Sequence, residues 1–305
     1  MLFHLKHVTR FSYSKPVFCE PLTLRLRPRE DAGQRLLRFQ MQVEPVEAGS
    51  GTMIDLDGNS TTQLWFSEMT LSLAITTTAL VETLRTNPYD FLLQPEALRL
   101  PLTYPDVMRQ QLAPYLMTGP IDPSVAGYAR RAADMARGDT VTTLSRLAAG
   151  MYESFRRHIR EEGHAWPAAE TLASRTGSCR DLAVLFNECC RSLGLAARFV
   201  SGYYQGEDTG AEKHLHAWSE VYLPGAGWVA FDPSRGLAVA DRHVALAAAP
   251  HPAGAAPTEG TFRGPTDVHS SLTATISLRV EPSAGPPEPH LRHAMAMAAE
   301  LDAPA

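Results

Sequence analysis

What most constrains this chain is a change in the period of its apolar residues. Up to about residue 80 they alternate with polar ones: Leu22, Leu24 and Leu26, then Leu37, Phe39, Met41 and Val43, then Leu71, Leu73 and Ile75. A period of two puts one face of an extended strand on a core and the other toward water, so this part reads as antiparallel β-structure, a small sandwich. Pro28–Gly33 and Asp55-Leu56-Asp57-Gly58-Asn59 supply reversals between the runs. The second of these is read as a turn and not as a calcium loop. An EF-hand spreads its ligands over about twelve residues and closes on a glutamate, and none stands at that position.

From residue 124 the period becomes helical. One helix is expected near Ser124–Ala136, and a second carries Val141, Leu144, Leu147, Ala148, Met151 and Phe155 on one stripe. Between the two regimes Pro88, Pro95, Pro101, Pro105, Pro114 and Pro120 interrupt every pattern, so regular structure there must be short. A chain of 305 residues is long enough for two cores. The division expected is a β-rich N-terminal domain over 1–82, a Pro-rich connector over 83–122, an α+β core with a closing C-terminal strand over 123–282, and a disordered Pro/Ala-rich tail over 283–305.

The net charge of -5 offers no polybasic footprint, which argues against nucleic acid and anionic lipid as partners. No apolar run approaches the roughly 18 residues that cross a bilayer, and the opening Met1–His7 lacks the pattern of a secretion signal. A cytoplasmic protein that does not engage membranes is expected. Cys19, Cys179, Cys189 and Cys190 lack the spacing of a disulfide framework and are read as free thiols. Cys189 and Cys190 fall mid-helix, pointing about 100° apart, which suits core packing and not a redox pair.

The chemistry concentrates at Arg175-Thr176-Gly177-Ser178-Cys179-Arg180-Asp181, followed by Leu182, Leu185, Phe186, Cys189 and Leu193 at helical spacing. Ser178 and Asp181 form a Ser-x-x-Asp capping pattern, so Cys179 opens the helix, where unpaired backbone N–H groups and the positive end of the macrodipole favour a thiolate. Downstream, Leu215–Leu223 alternates, Pro224-Gly225-Ala226-Gly227 turns, and Trp228–Pro233 alternates again: a hairpin. With a five-residue connection over Leu223–Gly227, Tyr222 faces Trp228, Glu220 faces Ala230 and Trp218 faces Asp232. His216 then lies diagonal to Asp232 on the same face. A four-residue loop without a bulge would separate them. Cysteine, histidine and aspartate in these places supply a nucleophile, a base and the group that orients the base.

Gly177-x-Cys179-Arg180-Asp181-x-Ala183, Gly202-Tyr203, His216-Ala217-Trp218-x-Glu220-Val221 and Trp228-x-x-Phe231-Asp232-Pro233 resemble, in order and spacing, the bacterial transglutaminase-like family. At the front, His7-x-Thr9-x-Phe11-x-Tyr13, Leu26-x-Pro28-Arg29, Gln34-Arg35 and Gly58-Asn59 resemble the β-rich region that precedes this core in bacterial relatives. The resemblance implies a papain-like α+β core with Cys179, His216 and Asp232 as a catalytic triad, acting on peptide, glutamine or isopeptide amides without cofactor or metal. A Gly-Arg-Asp-Tyr-like run carried by many relatives is replaced here by Ala247-Ala248-Ala249-Pro250-His251-Pro252, which bears on pocket shape and not on the triad.

Four further residues are expected near the substrate or the oxyanion: Trp166 on a loop before the nucleophile, Ser178, Arg180 and Trp218. Packing is the competing role for Trp166 and Trp218, as it is for Glu220 on its alternating strand, and a solvated helix face is the competing role for Arg180. His214 and His216, with Cys179 and Asp232, could be drawn as a mixed zinc site, but zinc would occupy the thiolate that the helix start activates. The function expected is therefore thiol acyl transfer on a peptide or protein substrate, with water as the acceptor. Crosslinking to an amine is the runner-up, and a catalytically silent binding scaffold is the reading of another class.

Overall fold

The computed structural model describes residues 1–116, 119–160, 163–206 and 213–283. The expected tail from residue 284 onward lies outside them. The first part is all strand: β1 (Leu2–Cys19), β2 (Leu22–Leu24), β3 (Gln34–Glu44), β4 (Gly49–Ile54), β5 (Ser60–Trp65) and β6 (Met69–Thr83). After two short helical turns at Asp106–Gln111 and Ala113–Leu116 come α1 (Pro123–Met135), α2 (Thr140–Ser154), α3 (Ala168–Ser174) and α4 (Cys179–Ser192). After them come β7 (Ala197–Tyr204), β8 (His216–Leu223), β9 (Gly227–Asp232), β10 (His243–Ala249) and β11 (Ser270–Glu281). The fold class is α+β, as the change of period requires.

Two antiparallel sheets make the N-terminal part. One runs β11, β1, β6, β3 and the other β2, β5, β4, with Thr258–Glu259 added to β2. Alternation sends Phe3, Leu5, Leu24, Leu64, Leu73 and Ile75 into one shared apolar cluster. Each such side chain contributes about 1.5–3 kcal/mol by leaving water. Tyr203 of β7 and Val244 and Leu246 of β10 enter the same cluster, so the sheet that holds β7 and β10 packs directly on the first part.

The core sheet runs β9, β8, β7, β10, with every pairing antiparallel. Helix α4 lies against it as the central helix. Its Leu182, Leu185, Phe186, Cys189 and Cys190 meet Leu144, Leu147 and Met151 of α2, Val125 and Ala129 of α1, and Val221, Val229 and Phe231 of the sheet. Asp122 and Asp139 cap α1 and α2, accepting hydrogen bonds from the backbone N–H of Ser124 and Thr142, each at 2.8 Å.

Two expected boundaries are redrawn by packing. The Pro-rich stretch is not a free connector: its regular structure is short, as at Asp106–Gln111 and Ala113–Leu116, but Ala97, Leu102, Tyr104 and Leu112 are buried in the helical core. The Tyr104 hydroxyl donates to the Tyr222 carbonyl at 2.8 Å and accepts from the Ala196 N–H at 3.0 Å. The closing strand expected in the 123–282 unit pairs instead with β1, from Leu2 opposite Glu281 to Tyr13 opposite Ser270. An edge as long as β1 presents a row of unpaired backbone groups, and β11 satisfies them.

Candidate active site

Cys179 is the first residue of α4 and is partly buried beside Ala183, Ala217, Ala247 and Ala249. The helix start is fixed by Asp181, which has no exposure to solvent. Its Oδ2 accepts from both the backbone N–H and the hydroxyl of Ser178 at 2.8 Å, and its Oδ1 accepts from the Trp166 N–H at 2.8 Å and the Arg160 guanidinium at 2.5 Å. Burial works against this charge, but the Trp166 and Ser178 donors and Arg160 hold the carboxyl below the usual carboxylate range.

The four residues expected around the substrate fall into different roles. The Ser178 hydroxyl is used on Asp181 inside the protein and is not presented outward. Arg180 donates to the carbonyls of Gly163, at 2.9 Å, and Arg160, tying the preceding loop to the helix. Trp166 is half-buried at the end of that loop, its ring stacked under the Arg160 guanidinium with the carbon 5.0 Å from the ring centre. Trp218 is 2% exposed and packs beneath His216, ring centres 6.2 Å apart. Gly202 on β7 makes that possible, because a Cβ there would lie 2.6 Å from the Trp218 ring and 2.1 Å from the Val244 carbonyl oxygen.

The hairpin has the required register. Tyr222 pairs with Trp228 and Glu220 with Ala230, and His216, at the start of β8, meets Asp232, at the end of β9, on one face. His216 Nε2 lies 2.7 Å from Asp232 Oδ2. Asp232 thus takes one ring nitrogen, and the His216 imidazole stands close enough to Cys179 to lower its thiol pKa. Glu220, on the opposite register position, pairs with Arg198, Oε2 accepting from the guanidinium at 2.6 and 2.7 Å.

Asp232 is fully buried and accepts four hydrogen bonds: the N–H and hydroxyl of Ser234 on Oδ1 at 2.9 and 2.7 Å, and His216 and His243 on Oδ2 at 2.7 and 3.0 Å. Burial opposes its charge, but His216 and these donors keep the carboxyl far below its usual range. Burial likewise opposes the His216 charge, yet Asp232 and the thiol push it up to about 10. Burial would raise the Cys179 thiol, and the His216 hydrogen bond and charge more than offset it, so that its pKa is lowered. These directions together favour a thiolate–imidazolium pair. Cys189 and Cys190 are the reverse case: burial drives both thiols up, and they are core residues.

His243 was not singled out by sequence reasoning. It is a lone histidine opening an Ala-rich strand, and no local spacing ties it to the hairpin. Among the described residues it is His216, Asp232 and His243, not His214, whose donor atoms cluster closely enough to hold an ion. The spacing does not fit one. Both imidazoles approach the same carboxylate oxygen at 2.7 and 3.0 Å, whereas two ligands of a tetrahedral zinc with bonds of about 2.0–2.1 Å stand about 3.3 Å apart. These are hydrogen-bond distances.

A transglutaminase-like superfamily model matches residues 127–233, and a bacterial transglutaminase-like N-terminal region model matches residues 3–82. The chain belongs to the transglutaminase-like superfamily. Among its relatives, an uncharacterised protein of Mycobacterium tuberculosis is 26% identical over 258 residues, 80% of this chain and 82% of that one. A Mycobacterium leprae counterpart, also uncharacterised, is 24% identical over 276 residues, 86% and 94% of the two chains. The fold matches the crystal structure of a protein from Cytophaga hutchinsonii described as a candidate cysteine protease, with a TM-score of 0.69, 19% identity and 93% coverage of both chains. That likeness spans the sandwich as well as the transglutaminase-like core, so the two parts recur together as one architecture.

Proposed function

We propose that this superfamily member is a thiol acyl-transfer enzyme in which Cys179 is the nucleophile, His216 the base and Asp232 the group that orients and charges His216. The observation that carries this reading is the His216–Asp232 hydrogen bond of 2.7 Å, with Cys179 at a helix start and its thiol pKa lowered by the same imidazole. The Cys179 thiolate attacks an amide carbonyl, a C–S bond forms, and the carbonyl electron pair moves to oxygen beside the N–H groups at the start of α4. As the C–N bond breaks, the His216 imidazolium gives its proton to the departing amine, leaving a thioester.

Water then attacks the thioester, His216 takes its proton, and the C–S bond breaks to release the acid. Hydrolysis is preferred over transfer to an amine because the thiol is partly exposed and no lid stands over it among the described residues. The substrate class proposed is a peptide or isopeptide amide. Quenched fluorogenic peptides incubated with and without a primary amine test this. The reading expects peptide cleavage and free acid in both, and a Cys179→Ala variant at least about 10³-fold slower. Amine-linked product in place of acid would overturn the hydrolase reading, and cleavage that survives Cys179→Ala would overturn the thiol reading altogether.

A further inference from the structure

Asp232 is held from a side that the Cys–His–Asp arrangement does not need. His243 Nε2 reaches the same Oδ2 that His216 uses, at 3.0 Å. The ring is 4% exposed, and its other nitrogen, Nδ1, is buried with no hydrogen-bond partner among the described residues. A protonated ring would bury an N–H with no acceptor among the described residues, which is costly. The ring is therefore neutral with its hydrogen on Nε2, and it donates to Asp232. The groups facing it are Asp232 in front, His216 with ring centres 5.8 Å away, the Tyr204 ring at 4.6 Å, the Trp218 ring at 5.1 Å, and Arg235 nearby, stacked on Tyr204. Burial, with His216 and Arg235, opposes a charge on His243 and outweighs Asp232, which favours one.

A carboxylate oxygen has two lone pairs. His243 occupies one on Oδ2 and Ser234 holds Oδ1, so the carboxylate cannot turn, and the remaining lone pair is left aimed at His216. The strand that carries His243 is itself clamped. On one edge β10 pairs with β7, His243 opposite Tyr204. On its other edge two side-chain amides from the N-terminal part imitate a neighbouring strand. Gln34 donates to the Ala245 carbonyl at 2.9 Å and accepts from the Ala245 N–H at 2.8 Å. Asn59 does the same to Ala248, at 2.8 Å in both directions. Thr83 adds a hydrogen bond to the Asp241 carbonyl at 3.0 Å, just before the strand. Gln34 and Asn59 belong to the N-terminal motifs that the triad leaves unexplained.

We infer that His243, locked in place by Gln34 and Asn59 through β10, is a positioning residue that fixes the Asp232 carboxylate toward His216. The inference rests on the thiol reading above. It makes the N-terminal sandwich part of the machinery that sets the nucleophile's reactivity.

The test is the rate of iodoacetamide labelling of Cys179, followed by peptide mass spectrometry from pH 5 to 9, in the full chain and in His243→Ala and His243→Gln. In the parent, fast labelling is expected to persist at low pH. His243→Ala is expected to slow labelling at pH 6 by about tenfold and to move the profile toward that of an ordinary thiol. His243→Gln, whose amide N–H reaches the region of the lost Nε2–H, is expected to recover most of the loss. A His243→Ala profile that superimposes on the parent overturns the inference. So does a folded His243→Gln as slow as His243→Ala, because that is the behaviour of a packing residue. If His243→Ala does not fold, the Gln profile alone decides, a parent-like curve supporting the inference and an ordinary-thiol curve overturning it. A parent with an ordinary-thiol profile sinks the thiol reading itself, and the inference with it.

Discussion

Two fully buried aspartates organise the two sides of the thiol. Asp181 ties the helix start to the loop bearing Trp166, and Asp232 gathers Ser234, His216 and His243 around one carboxylate. A residue with no side chain matters as much. Gly202 leaves room for the Trp218 ring under His216, and the atoms a Cβ would meet there include the backbone oxygen of Val244, which cannot swing aside. Gly202→Ala is therefore expected to destabilise the protein by about 2–3 kcal/mol through overpacking, measured as a lower urea midpoint at unchanged slope. An unchanged midpoint would mean that β7 and β10 part more easily than their packing implies.

At the scale of elements, the strongest constraint is on β10, whose outer edge has no strand beside it among the described residues. Asn59 satisfies the Ala248 N–H and carbonyl from the tip of the Asp55–Asn59 turn, where Gly58 adopts a φ of 77° and Asp55 accepts from the Asp57 and Asn59 N–H groups at 3.0 and 2.8 Å. Asn59→Ala leaves two buried backbone groups unpaired, and a cost of about 2–4 kcal/mol is expected in the same urea measurement. The surface substitution Leu56→Ala, three residues away on the same turn and fully exposed, should cost under about 0.5 kcal/mol.

How much of this was legible in the sequence depends on the range of the interaction. The Ser-x-x-Asp cap, the helical stripe of α4 and the register of the β8–β9 hairpin are set within a few residues, and the structure has them as the spacing requires. The turn at Asp55–Asn59 was legible as a turn, but its grip on a strand nearly two hundred residues later was not. His243 escaped notice for the same reason: alanine-rich β10 has weak strand propensity and no alternation, being buried on both faces. The Pro-rich segment announced short structure correctly, while the burial of Tyr104 against β8 is a tertiary fact that local pattern does not carry.

Over the whole molecule, β11 returns to pair with β1 and β10 is clasped by the sandwich, so the thiol site sits in a core sheet that the N-terminal part packs against and edges. The central claim is that this frame holds a charged nucleophile, with the Cys179 thiol below its usual range and His216 pushed up to about 10. Above the lowered thiol pKa and below about 10 the pair is thiolate and imidazolium. Falling pH ends it by protonating Cys179, and rising pH removes the imidazolium proton only near 10. Iodoacetamide labelling of Cys179 from pH 5 to 9, in the parent and in His216→Ala with buried Cys189 and Cys190 as internal references, measures this directly. The account predicts labelling that is already fast near pH 6, nearly flat above it, and lost at low pH in the variant. Slow labelling that rises with a midpoint near about 8.5 and is unchanged by the substitution would contradict it.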